Sequence, residues 1–140
     1  MITDKLGKIN KIIMKNINKL LIIGFHSANL ILIALYLYPG SILGCFVYND
    51  CSTQPQITKD FLISSNHFYM FIILSVLGIL AYHNSKNIKF LIIYLLLLSI
   101  ILELLHIVIP ERGFEWPDLF GNIVGVVFVI TIYKFKTKYE

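Results

Sequence analysis

Four long apolar runs alternate with short polar stretches along the chain. They run from Leu20 to Tyr38, His67 to Tyr82, Phe90 to Ile109 and Leu119 to Tyr133. Each approaches the ~20 residues that a helix needs to cross a bilayer. The second is short, so its ends are expected at the interface, where Tyr69, Phe71 and Tyr82 suit anchoring. The pattern predicts an all-α polytopic membrane protein with four transmembrane helices over residues 20–133. A basic segment (1–19) precedes it and a basic tail (134–140) follows.

In the first segment, Lys5, Lys8, Lys11, Lys15 and Lys19 recur at helical spacing and share one face. Ile9, Ile12, Ile13, Ile17 and Leu20 occupy the remainder. Two readings stand: an amphipathic helix lying on the leaflet, or a basic flank to the first span. The first apolar run is too long for a cleaved signal, and no small-x-small site follows it. Leu43-Gly44-Cys45 only imitates a lipoprotein box, because Leu43 is bulky. His26, Ser27 and Asn29 interrupt the first run, and His26 is expected to be a packed, hydrogen-bonded residue.

Residues 39–66 form the longest polar connection and carry both cysteines, Cys45 and Cys51. In an oxidising compartment they could form a disulfide closing a small loop, and two free thiols are the alternative reading. Neither CxxC nor CxxH spacing points to metal.

Charge adds orientation. With four spans, both termini share a side with residues 83–89. Ten lysines lie there: 5, 8, 11, 15, 19, 86, 89, 134, 136 and 138. The other side holds only Lys59 and Arg112. That bias places both termini in the cytoplasm, with the 39–66 loop and Arg112 outside.

Composition agrees. The chain of 140 residues is 57% hydrophobic and 14% charged, and its mean hydropathy is +0.77. An ordinary soluble domain carries about 25% charged residues. The net charge of +4 lies beside the spans rather than on a globular face, so nucleic acid is not the expected partner. Membrane lipids are.

The chemistry concentrates between Glu103 and Gly125. Glu103 and His106 share a helix face. Glu103 lies roughly 10 Å deeper along its helix than Pro110. A carboxylate at that depth either loses its charge or finds a cation. The first reading takes Arg112 as that cation, brought back by the turn after Pro110. The second leaves Glu103 protonated and donating a hydrogen bond. Pro110 is expected to end the third span, and Asp118 to cap the fourth from just before Leu119. Asn122 sits one turn further in. Gly121 and Gly125 permit close helix packing. The pocket residues are therefore His67, Glu103, His106, Arg112, Asp118 and Asn122, with Arg112 and His67 suited to an anionic group.

Other readings compete. The charged pair could staple two spans together without any ligand. Glu103-x-x-His106 also matches the i, i+3 pair of carboxylate-bridged metal bundles. Those sites use the pair twice and this chain has it once, although His67 and Asp118 could complete a zinc site with it. No metal or cofactor is assigned.

In their order and spacing, Glu103, Pro110, Arg112, Phe114, Asp118, Asn122 and Gly125, with the His67-Phe68 pair, resemble VanZ-like membrane proteins. The resemblance covers most of residues 20–133 and implies the same four-span layout. Two positions depart from the pattern. The family often has Asp-Lys where this chain has Ile63-Ser64, with Lys59 and Asp60 just upstream. It often has Gln where this chain has His106, which argues against an obligatory metal ligand there.

The resemblance implies a bacterial cytoplasmic-membrane protein connected with resistance to teicoplanin-type glycopeptides. The leading expectation is binding or handling of an anionic envelope lipid, or a lipid-linked cell-wall precursor, at the outer face. The alternatives are a membrane-embedded acid–base or metal-dependent enzyme, and an assembly protein with no ligand. Nothing in the chain resembles a nucleophile elbow or a phosphate loop.

Overall fold

The computed structural model describes residues 2–60 and 62–139. Five helices follow one another: α1 (Ile2–Leu37), α2 (Ile42–Tyr48), α3 (Ser65–Tyr82), α4 (Ile88–Leu105) and α5 (Trp116–Tyr139). Four of them, all but α2, are long and apolar enough to cross a membrane. The architecture is all-helical, with no strand among the described residues.

The long helices alternate in direction and close a bundle. α3 packs on α1, α4 and α5, and α4 packs on α1 and α5. Between them lie Phe25, Leu32, Phe71, Leu74, Leu95, Leu102, Val126 and Ile130. The outside is apolar as well: Leu30, Phe90, Ile93, Leu97 and Phe128 are exposed. A surface of that kind suits acyl chains rather than water. Alternation also brings the end of α1, the start of α3, the end of α4 and the start of α5 to one end of the bundle. Every polar residue singled out from 103 to 122 is gathered there.

Several boundaries differ from the sequence reading. α1 runs as one helix from Ile2 to Leu37, through the basic segment and the first apolar run. The Lys5 and Lys8 side chains lie outside the described residues. α4 stops at Leu105, four residues before the expected end. From His106 to Val108 the backbone takes tighter i to i−3 bonds instead, the usual way for a last turn to narrow. Pro110 therefore sits within the turn rather than at the helix end. α5 starts three residues early, at Trp116. Pro117 fits there because a first-turn residue has no helical partner for an N–H. Asp118 consequently lies inside the first turn and is not the N-cap.

The 39–66 connection is more ordered than its composition suggested. It contains α2, capped by the Ser41 hydroxyl, which accepts the Gly44 N–H at 3.0 Å. A Cys45–Cys51 disulfide ties the chain beyond α2 back to the middle of that helix, and the Ser41 N–H reaches the Cys51 carbonyl at 2.7 Å. Gly40 makes the corner with a φ of +75°, and a Cβ there would meet that carbonyl at 2.6 Å. Asp50 accepts hydrogen bonds from the Ser52 and Thr53 side chains and the Ser52 N–H, which draw its carboxyl down to about 2. Asp60 then accepts the Ser65 N–H at 2.7 Å and so closes the open start of α3. α2 leaves Phe46, Val47 and Tyr48 exposed.

Candidate functional site

At the gathered end of the bundle, six polar side chains from four helices meet, together with the Ser99 carbonyl. Tyr36 comes from the last turn of α1, His67 from the first turn of α3, Ser99 and Glu103 from α4, and Asn122 from α5. His106 follows α4 directly, and Asp118 belongs to the first turn of α5. Glu103 and Asn122 are fully buried, and His106 is 1% exposed.

Their contacts form one network. The Tyr36 hydroxyl donates to Asn122 Oδ1 at 2.7 Å and lies 3.0 Å from His67 Nδ1. His67 Nδ1 is 3.2 Å from Asn122 Oδ1. Asn122 Nδ2 donates to the Ser99 carbonyl at 3.2 Å. On the other side of the ring, His67 Nε2 faces Asp118 Oδ2 at 3.2 Å. His106 Nε2 donates to the Tyr36 carbonyl at 3.1 Å, its ring is stacked on Tyr36, and its Nδ1 faces Glu103 Oε2 at 3.3 Å.

The donor and acceptor inventory fixes the tautomers. The Tyr36 carbonyl is only an acceptor, so His106 carries its proton on Nε2. The Tyr36 hydrogen goes to Asn122, and the remaining neighbours of His67 Nδ1 are acceptors, so that nitrogen carries a proton too. Neutral His67 and His106 therefore turn lone pairs toward Asp118 and Glu103. Each imidazole–carboxylate contact requires a further positive charge, from a proton or a cation.

The expected ion pair between Glu103 and Arg112 does not form. Glu103 Oε1 instead accepts the Glu115 N–H at 3.0 Å, and Oε2 faces His106 and, at 3.8 Å, His67 Nδ1. Glu115 immediately precedes α5, so Glu103 occupies the backbone donor that a carboxylate three residues into the helix commonly takes. Asp118 is thereby left to turn toward His67. Arg112 goes to the open end of α1, donating to the Leu35 carbonyl at 3.2 Å, the Tyr38 carbonyl at 3.4 Å and Gln54 Oε1 at 3.4 Å. These last-turn carbonyls have no helical donor of their own.

A model of the VanZ/LLP1 family matches residues 13–137. The chain belongs to the VanZ/LLP1 family. No curated protein and no solved structure matches it significantly. The matched range takes in all four long helices and every residue of the network, and a VanZ/LLP1 protein with four apolar helices is a multi-pass membrane protein.

In this VanZ/LLP1 chain the network lies beneath a cavity of about 230 Å³, bordered by His106, Arg112, Glu115 and Asp118 with Ser52 and Gln54 of the loop. A narrower apolar hollow of about 100 Å³ adjoins it, formed by Leu35, Ile42, Leu43, Ile57 and Met70. Arg112 and Gln54 border both. Burial lowers the Arg112 pKa from the ordinary guanidinium value, while Tyr36, Asp118 and Glu103 oppose that shift. A guanidinium stays charged under such conditions.

Of the six residues expected from the sequence, His67, Glu103, His106, Asp118 and Asn122 are joined in the network, and Arg112 borders the cavity above it. Tyr36 is the member that sequence reading missed. His26 and Asn29 lie at the other end of the bundle, where they bond Tyr82 and Tyr94.

Proposed function

We propose that this VanZ/LLP1 protein binds the anionic head group of an envelope lipid or lipid-linked cell-wall precursor at the outer face of a bacterial cytoplasmic membrane. One observation carries the reading. Arg112 stands where the polar cavity meets the apolar hollow, and no carboxylate pairs with it within 4.0 Å among the described residues. Three of its five N–H groups serve neutral acceptors, which leaves two for an anion. An amphiphile has the matching shape: a charged group for the cavity and a chain for the hollow.

Outward placement draws support from the lysine distribution and from the disulfide, which belongs to an oxidising compartment. Handling of a cell-wall precursor would connect this chain with the glycopeptide resistance that its family resemblance suggests. The test is binding of phosphatidylglycerol to the protein in nanodiscs. Arg112→Ala should weaken it at least about tenfold, the equivalent of one charge-assisted hydrogen bond. Unchanged affinity in a folded variant overturns the reading.

The paired imidazoles and carboxylates favour one second reading, an acid–base enzyme acting on the same class of ligand. Turnover of a lipid-linked substrate that vanishes in Glu103→Gln while binding persists would select it.

A further inference from the structure

Beneath the cavity floor, ligand atoms of His67, Glu103 and Asp118 all lie within 4.8 Å of one another. His67 presents Nε2 to this point, because its Nδ1–H is taken up by Tyr36 and Asn122. Asp118 presents Oδ2, 3.2 Å from that nitrogen. Glu103 is fully buried, and its Oε2 has no hydrogen-bond partner. Lone pairs of all three converge here, Asp118 accepting in addition from the Ser64 side chain, at the edge of the cavity that Asp118 lines.

We propose that His67, Glu103 and Asp118 form a binding site for a divalent transition-metal cation, with zinc the best fit. The donor set of one imidazole and two carboxylates suits such ions. Bonds of about 2.0–2.2 Å in a tetrahedron separate ligand atoms by about 3.3–3.6 Å. The His67–Asp118 separation is already close to that edge, and a Glu103 ligand oxygen lies within 4.8 Å of its two fellow ligands. Two carboxylates with a dication are electrically balanced, which a buried site requires.

The surroundings also fit a metal ligand's needs. A ligating histidine usually donates its other N–H to an oxygen that fixes the ring. Asn122 Oδ1 is placed to do this, and Asn122 is itself held by the Ser99 carbonyl. Three protein ligands leave a fourth position, and Asp118, 19% exposed, turns it toward the cavity. That is the open arrangement of a site that binds water or a ligand oxygen. His106 stands behind Glu103 and is not one of the three. The glutamine that resembling proteins often carry there therefore does not argue against this site.

The site requires nothing of the head-group reading and is tested separately. The full chain, purified without an affinity tag and stripped with a chelator, is titrated with Zn2+, and bound metal is counted per chain. One equivalent is expected. His67→Ala and Asp118→Asn should each weaken binding at least about tenfold, while His106→Gln should change it less than about threefold. Co2+ in place of Zn2+ should give the visible absorption of a four-coordinate ion in wild type and lose it in Asp118→Asn. If His67→Ala fails to fold, Asp118→Asn decides, since its side chain is partly exposed and isosteric. A folded wild type that holds no stoichiometric Zn2+, or undiminished binding in Asp118→Asn, overturns the proposal.

Discussion

Glu103 of α4 accepts the backbone N–H of Glu115 at 3.0 Å across twelve residues of chain. One buried carboxylate of α4 thus caps the start of α5. Glu103→Gln keeps an oxygen for that N–H, whereas Glu103→Ala leaves it without a partner. Glu103→Ala should therefore destabilise the protein by about 1–3 kcal/mol more than Glu103→Gln. Thermal unfolding of the two variants in the same detergent measures the difference, and equal midpoints would contradict it.

Tyr36 joins α1 to α3 and α5 through a single hydroxyl. Tyr36→Phe keeps the ring stacked on His106 and removes only that bridge. A loss of about 1 kcal/mol is expected, together with faster amide exchange at the start of α5. Exchange followed by mass spectrometry distinguishes this local loosening from a general one.

Gly121 and Gly125 bring α5 against the backbone of α3. A Cβ at Gly125 would meet the Phe68 carbonyl at 2.7 Å, and one at Gly121 the Ser64 carbonyl at 2.7 Å. Backbone cannot step aside as a side chain does. Gly125→Ala should cost about 1–3 kcal/mol. At Gly24, by contrast, nothing lies within 4 Å of an added Cβ. Gly24→Ala should be neutral or slightly stabilising, since alanine is the better helix former by about 1 kcal/mol. Parallel melting curves compare the pair.

The Cys45–Cys51 bridge leaves no free cysteine among the described residues. Intact cells should show no labelling by a membrane-impermeant maleimide until a reductant is added, and two labelled thiols per chain afterwards. Labelling only after the membrane is opened would reverse the expected orientation.

Much of this was legible in the chain. Four apolar runs and a polar hairpin between the last two give the bundle, because a bilayer selects helices by length and composition alone. His67, Glu103, Asp118 and Asn122 announced themselves as polar groups set in apolar surroundings. Tyr36 did not. A tyrosine near the end of an apolar run reads as an interfacial residue, and its role exists only because α1 ends where α5 begins. α2 was hidden for another reason: seven residues are too few to show a helical period. The Glu103–Arg112 pairing failed because it matched charges by nearness in sequence. In the fold a histidine and a backbone amide reach the carboxylate first, and the arginine meets the unfilled carbonyls of α1.

The exposed Phe46, Val47 and Tyr48 of α2 bear on how a ligand arrives. A two-turn helix with such side chains is suited to lie at the waterline of a bilayer, its oily edge down. Gly40 and Ser41, just ahead of α2, border the cavity, so its mouth rides at the same level. If the head-group proposal holds, an amphiphile would enter this opening sideways from the leaflet, without first climbing out into water.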